Sequence, residues 1–118
     1  MMRPAAETAV YVCREAVDFR KSIDGLSALV TTTLGRDPYA AALYVFTNRR
    51  RDKVKVLYWE RCGFVLWYKR LERARFPWPR PGEGPDAALT GRELNWLLDG
   101  IDLFALAPHA ALSYEKVL

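Results

Sequence analysis

Basic side chains are concentrated in two runs in the middle of the chain, each next to a strand-like segment. The first run, residues 48–55, includes three consecutive arginines, and the second covers residues 69–75. A lysine or arginine that neutralises a phosphate releases a condensed counterion, so a few such contacts produce salt-sensitive binding to nucleic acid. The pattern therefore favours contact with DNA or RNA. The alternative is that these cations solvate the rim of a sheet and prevent edge-to-edge pairing.

The basic character is local rather than general. The formal net charge of the whole chain is only +4. Residues 49–80 hold eleven basic and three acidic side chains, a net charge of +8. Residues 1–48 are neutral overall, and residues 81–118 carry a net charge of −4. An anionic partner is therefore expected to bind the central segment.

A hairpin that folds the two basic runs together would form the predicted DNA-binding site. Its predicted members are Arg49, Arg50, Arg51, Lys53, Lys55, Lys69, Arg70 and Arg73. Aromatic residues interleave with these cations, which is the composition of surfaces that stack bases. Most of these rings are nevertheless expected to fill the core, because a small domain needs large side chains there. They belong to Tyr58, Trp59, Trp67, Tyr68, Phe76 and Trp78.

The sequence contains no convincing catalytic or metal site. Clustered carboxylates would be needed for a divalent-metal nuclease, and the candidates are Asp18, Asp24, Asp52 and Glu60. The three aspartates also have ordinary roles at a helix start or in a turn. The single histidine, His109, has no cysteine or acidic neighbour at metal-ligand spacing. We therefore expect no catalytic residue, no metal, no cofactor and no enzymatic activity.

Short β-branched and aromatic segments predict the strands that must position the basic runs. The predicted strands are residues 9–13, 43–47, 53–59 and 64–69. A turn centred on residues 61–62 predicts three cross-strand pairs, Trp59 with Phe64, Leu57 with Leu66 and Lys55 with Tyr68. The opposite side of this hairpin is the better candidate for the core, with Val54, Val56, Tyr58, Val65 and Trp67.

Two helices are predicted from apolar residues at three- and four-residue steps. The first begins after Ser22, a potential N-cap, and ends before Gly35. The second begins at Thr90 and Glu93, which have the spacing of a capping box. Two prolines in residues 76–79 predict an extended path across the surface between these helices.

Length and composition indicate one compact α+β domain. With 118 residues, of which 51% are hydrophobic, the chain can bury a single core. We expect a small antiparallel sheet of about four strands with two helices packed on one face. This domain would cover residues 1–104, and an alanine-rich C-terminal tail would cover residues 105–118. No apolar run approaches the ~20 residues needed to cross a bilayer, and only two cysteines occur, so a cytoplasmic protein is expected.

An ordered set of short motifs resembles one known family. The motifs are DFRKSIDGL (residues 18–26), LYVF (43–46), NRRRDKVKVL (48–57), GF (63–64), KRLE (69–72), FPWP (76–79) and LLDGID (97–102). Together they resemble TnpB, the family of second-open-reading-frame products of IS66-type bacterial insertion sequences. The resemblance extends over roughly residues 8–103.

This resemblance implies participation in DNA transposition beside a separate transposase of the same element. The expected partners are DNA at the ends of the insertion sequence and that transposase. The leading hypothesis is a non-catalytic accessory factor that binds DNA through the predicted site. The alternative is a protein-interaction adaptor that contacts the transposase through residues 76–79 or the acidic helix around Glu93 and Asp99. The resemblance carries no agreed binding residues, so the site is inferred from charge.

Overall fold

The structure, a computed structural model, describes residues 3–105 of the chain. Its elements in chain order are β1 (Ala9–Cys13), α1 (Ile23–Thr32), β2 (Ala42–Thr47), β3 (Lys53–Glu60), β4 (Gly63–Arg70), β5 (Asp86–Thr90) and α2 (Gly91–Leu98). Apart from Ala105, the predicted C-terminal tail lies outside the described residues, as does His109.

The strands form a five-stranded mixed sheet in the order β4-β3-β2-β1-β5. The predicted α+β class is confirmed, but the sheet has one strand more than expected. It is also not wholly antiparallel, because β1 and β2 run parallel and are joined by a crossover that contains α1. The additional strand, β5, has the sequence Asp-Ala-Ala-Leu-Thr, which lacks the β-branched and aromatic density of the others. It pairs with β1 along its whole length.

The hairpin of β3 and β4 has the predicted register. Trp59 lies opposite Phe64, Leu57 opposite Leu66, and Lys55 opposite Tyr68. Arg61, in the connecting turn, has a φ of 58°, a left-handed conformation that allows the chain to reverse within two residues. The predicted alternation of side chains along both strands is therefore correct.

Side chains from the two faces of the sheet form two separate cores. The predicted core face, with Val54, Val56 and Tyr58, packs against α2 through Leu94 and Leu97. On the other face, α1 packs against the sheet with Leu26 and Val30, in a cluster that also contains Tyr44, Phe46 and Leu57. The two helices therefore lie on opposite faces, and the expectation that they share one face is wrong. All six residues of β2 are buried, which requires a layer on each side.

The two predicted helices form with different end structures. Ser22 stands at the N-cap of α1, but its side chain makes no capping hydrogen bond. The capping box of α2 is confirmed, since Glu93 N donates to Thr90 Oγ1 (3.1 Å) and Thr90 N donates to Glu93 Oε1 (2.9 Å). Neither helix in the described part of the chain is long and apolar enough to cross a membrane.

The Pro-rich segment 76–79 is buried, not on the surface as predicted. Phe76 and Trp78 are 2% and 5% exposed and belong to the core on the α2 face. Trp78 Nε1 also donates a 2.9 Å hydrogen bond to the carbonyl of Cys13. The prolines remove two backbone donors and so let the segment cross the core side of the sheet without joining a ladder. Of the two cysteines, Cys13 is buried and Cys62 is exposed in the turn after β3.

Candidate nucleic-acid interface

The turn between β2 and β3 presents three consecutive arginines to solvent. Asn48 closes the turn, because its Oδ1 accepts from Lys53 N (3.1 Å) and its Nδ2 donates to Asp52 Oδ1 (2.7 Å). The hydrogen bond from Asn48 lowers the pKa of Asp52. Arg51 adopts a φ of 61° to complete the turn. The side chains of Arg49, Arg50 and Arg51 are all exposed.

Two backbone hydrogen bonds hold the second basic run against this turn. Leu71 N donates to Asp52 O, and Phe76 N donates to Arg51 O, each at 2.7 Å. The loop between them, which contains Arg73 and Arg75, therefore runs beside the turn with both guanidinium groups exposed. We name the resulting surface the basic end; it consists of Arg49, Arg50, Arg51, Lys53, Arg70, Arg73 and Arg75.

A pair of like charges lies across the strands of the basic end. Lys53 at the start of β3 is directly opposite Arg70 at the end of β4. Like charges in this arrangement destabilise a sheet. Arg70 is also paired with Glu72 (3.1 Å), but both side chains are largely exposed, and such pairs contribute little. No other member of the basic end takes part in an ion pair between residues 3 and 105.

Lys55 does not reach the basic end. Its side chain is buried on the α1 face, where Nζ donates to the carbonyls of Phe19 (2.9 Å) and Lys21 (2.8 Å). The ammonium also lies over the ring of Phe19, 4.6 Å from its centroid. Burial, and to a smaller extent the charge of Lys53, lowers the pKa of Lys55. The side chain of Lys55 therefore joins the loop before α1 to the sheet by two hydrogen bonds.

Lys69 points to the opposite face. It is paired with Val54 in the hairpin, and its Nζ donates a 2.9 Å hydrogen bond to the carbonyl of Leu98 at the end of α2. This lysine therefore satisfies a carbonyl in the last turn of the helix, where a cation is favourable. Of the eight predicted site residues, six lie at the basic end. Lys55 is buried and Lys69 is half-buried, and each donates to backbone carbonyls instead.

The basic end also includes Arg75, which the predicted site omitted. The sequence places Arg75 within the second basic run, but no pattern in it indicates which cations of that run face the turn. Their positions depend on the hydrogen bond between Phe76 N and Arg51 O, which joins residues far apart in sequence. Sequence patterns of charge and hydropathy do not report such a contact.

Most of the aromatic residues considered for base stacking are part of the core. Phe76, Trp78 and Tyr58 are buried. Tyr68 is 52% exposed and lies edge-on to the ring of Phe19. Trp67 is half-buried against the α2-face core. Tyr68 is therefore the ring that is exposed beside the basic end, since it precedes Arg70 by two positions in β4.

The aspartates considered for a divalent-metal nuclease each have a separate local role. Asp18 Oδ2 lies 2.6 Å from Arg20 Nη2, and this hydrogen-bonded pair lowers the pKa of Asp18 to about 2. Asp24 is in the first turn of α1, and Asp52 accepts a hydrogen bond from Asn48. Among residues 3–105, no three His, Cys, Asp or Glu side chains are grouped so that they could hold a metal ion.

Comparison with known proteins identifies the family of the chain. Residues 8–107 match the family described as IS66 Orf2 like protein. Two Sinorhizobium fredii (strain NGR234) proteins, the uncharacterized proteins y4jC and y4hO, are 33% and 32% identical to the chain over 102 residues. The alignments cover 86% of this chain and 86% and 88% of those proteins. No solved structure matches. The chain belongs to the IS66 Orf2-like family, so the resemblance seen in its motifs is confirmed.

Proposed function

We propose that the protein is a non-catalytic accessory factor of transposition that binds the DNA ends of an IS66-type insertion sequence through the basic end. It would act in the cytoplasm and assist the separate transposase of the same element. Membership of the IS66 Orf2-like family supports the role in transposition. Direct contact with DNA is inferred from the charge and geometry of the basic end.

The observation that carries the proposal is the excess positive charge of the basic end, in which Arg70 alone is ion-paired among the described residues. Lys53 and Arg70 lie opposite each other, and the exposed arginines of the turn and of the loop beside it add to the same field. A sheet edge stabilised only by its own residues would place opposite charges there. A local arrangement that costs stability is expected where a ligand uses it, and a row of phosphates would neutralise these cations.

A comparison of two double variants with equal net charge tests the proposal. Arg49→Gln with Arg50→Gln removes two exposed cations from the basic end. Arg61→Gln with Arg92→Gln removes two exposed cations from other parts of the surface. Binding of each full-length variant to a fluorescently labelled terminal-repeat duplex is measured by anisotropy at several salt concentrations.

The first double variant should bind the duplex about tenfold or more weakly. The slope of its plot of log affinity against log salt should fall by the amount that corresponds to about two phosphate contacts. The second should bind like the unchanged protein. Equal affinity of the two double variants would show that DNA does not use the basic end, and the proposal would then be wrong.

A second candidate function is an adaptor that contacts the transposase without binding DNA. It is favoured by an aromatic cluster at the far end of the hairpin, where Tyr39 packs on Trp59 (4.9 Å between ring centroids) and on Phe64 (5.2 Å). Tyr39 is 58% exposed. Trp59 lies six positions after Lys53 along β3, so the cluster lies about 20 Å from the basic end. Its aromatic composition is typical of protein interfaces.

Co-purification of the two proteins after nuclease treatment separates the candidates. A direct adaptor remains bound to the transposase when DNA is digested, and Tyr39→Ser should weaken that complex without changing the fold. A complex that dissociates on digestion is bridged by DNA alone and contradicts the adaptor function.

A further inference from the structure

A cleft of about 350 Å³ opens beside the basic end and has arginines from three separate segments. Arg51 comes from the turn before β3, Arg75 from the loop after β4, and Arg80 from the segment before β5. Phe104 and Asp102, which follow α2, line the same cleft. Its volume is at the lower end of the range for ligand sites, about 300–1,000 Å³. The cleft is therefore large enough for a small charged group.

The backbone on which each arginine stands is fixed by a hydrogen bond. Arg51 O accepts from Phe76 N (2.7 Å), which positions the segment after Arg75 as well. Arg80 O accepts from Arg14 Nη1 (2.6 Å). The floor is rigid, because Phe76 and Trp78 belong to the core. The backbone segments that carry the arginines are thus held in place before any ligand binds, which lowers the cost of binding.

The residues that line the cleft carry a net positive charge. They include three arginines and one acidic residue, Asp102. Asp102 Oδ1 accepts a 3.1 Å hydrogen bond from Phe104 N. No ion pair within the described range 3–105 includes Asp102 or any of the three arginines. A guanidinium presents a planar fork of donors that matches the oxygens of phosphate.

We infer that this cleft holds one phosphate group of a DNA strand between Arg51, Arg75 and Arg80. The inference rests on the proposed function, because it takes DNA as the ligand, and it adds a fixed point of contact to the diffuse field of the basic end. The phosphate is either a backbone diester or a terminal monoester. A single phosphate held by three arginines at once would set the register of the DNA on the protein.

Asp102 is the acidic residue of the cleft. Its negative charge lowers the affinity for any anion, and it would also disfavour binding of the site to a second acidic protein surface. Asp102→Asn keeps the oxygen that accepts from Phe104 N but removes the charge. Removal of one screened unit charge at close range should tighten phosphate binding about fourfold.

The test uses thymidine dinucleotides as probes and the full-length protein. TpT offers one diester, pTpT adds a 5′-monoester, and inorganic phosphate at equal ionic strength reports binding of a free ion. The NMR signals of the arginine Nε–H groups identify the arginines that bind, and titration gives the affinity. Arg75→Gln with Arg80→Gln, the cleft variant, removes two of the three arginines of the cleft. Arg49→Gln with Arg50→Gln, the turn variant, leaves all three in place.

We expect the signals of Arg51, Arg75 and Arg80 to shift on addition of pTpT, the cleft variant to lose at least tenfold in affinity, and the turn variant to lose little. Tighter binding of pTpT than of TpT would show that the cleft binds the terminal monoester of a strand. Equal binding would show that it binds a backbone diester. Asp102→Asn should bind more tightly in either case.

Equal dinucleotide affinity of the cleft variant and the unchanged protein would overturn the inference. So would shifts caused equally by inorganic phosphate and by both dinucleotides, since the site would then recognise a free ion. If duplex binding still depends on Arg49 and Arg50 in those cases, the proposed function stands and the cleft alone is wrong. If the dinucleotides bind the cleft but no duplex binds, the proposed function is wrong instead.

Discussion

The backbone nitrogen of Phe76 donates a 2.7 Å hydrogen bond to the carbonyl oxygen of Arg51. This bond joins the loop after β4 to the turn between β2 and β3, and it places a buried aromatic anchor next to a residue whose side chain is exposed. This hydrogen bond therefore links the core on the α2 face directly to the cationic surface. The backbone of Arg51 therefore contributes to the fold, whereas its side chain contributes to the cationic surface.

Arg51→Gly separates these roles. Glycine relieves the left-handed φ of 61°, a gain of about 1 kcal/mol, but makes the unfolded chain more flexible by a similar amount. We expect the free energy of unfolding to change by no more than about 0.5 kcal/mol and duplex binding to weaken, with a salt slope reduced by about one. Urea unfolding and anisotropy measure the two quantities.

Arg61→Gly is the matched control for this change. Arg61 is also an exposed arginine with a positive φ, 58°, but it lies in the turn at the other end of the hairpin. Its replacement should leave DNA binding unchanged. Equal loss of binding in the two variants would mean that net charge, not position, determines affinity.

Lys53→Glu should make the protein more stable and less able to bind DNA. The substituted carboxylate would lie opposite Arg70 and replace a repulsive cross-strand pair by an attractive one, a gain of about 0.5 kcal/mol. The same change reverses one charge of the basic end. Chemical unfolding and duplex titration of the variant measure both effects, and a fall in stability would contradict the repulsion between Lys53 and Arg70.

Lys55→Met should destabilise the protein by about 2 kcal/mol, because the carbonyls of Phe19 and Lys21 lose a charged donor. Methionine keeps the length of the side chain, so the loss reports hydrogen bonding more than packing. Lys53→Met, on the same face and half-buried, is the control. It removes the repulsion with Arg70 and should not destabilise the protein. Equal unfolding free energies of the two variants would show that the buried ammonium contributes nothing to the fold.

Gly91→Ala should destabilise the protein because a Cβ at this position would lie 1.7 Å from the carbonyl oxygen of Ala5. The N-terminal segment would have to move away from the start of α2, at a cost of about 1–3 kcal/mol. Gly63→Ala is the control, since no atom lies within 4 Å of its added Cβ. Thermal unfolding of both variants measures the difference, and equal melting temperatures would contradict the close approach.

The carboxyl group of Asp18 should titrate near pH 2. Its hydrogen bonds with Arg20 lower the pKa to about 2 from an ordinary value of 3.8. A lowered pKa in the folded state means that this contribution to stability is complete above about pH 4 and is lost as the pH falls through 2. Carboxyl NMR titration measures the midpoint. Arg20→Gln should return it toward the ordinary value, and an unchanged midpoint would contradict the role of the guanidinium.

Local sequence patterns were sufficient to predict most of the elements and the register of the main hairpin. Trp59 faces Phe64, as alternation along two adjacent strands required. The fifth strand was missed because Ala87 and Ala88 have little β-propensity of their own and form a strand only against β1. Tertiary pairing, which single-sequence patterns do not contain, decides that segment.

The candidate site could be predicted only in part for a related reason. Charge counting located the cations of the turn, whose positions depend on local turn geometry. It could not show that Lys55 turns inward to two carbonyls or that Lys69 reaches Leu98, because both partners lie far away in sequence. Long basic side chains carry an apolar stem, so their charge alone does not indicate a surface position.

The last strand of the sheet lies beside the first, and this order affects how the chain folds as the ribosome makes it. β1 emerges early, yet one of its two neighbours, β5, ends only at Thr90. A nascent chain or proteolytic fragment that stops before Asp86 keeps one side of β1 unpaired and open to other strands. Fragments that end within the loop before β5 should therefore aggregate, even though they retain every residue of the arginine turn.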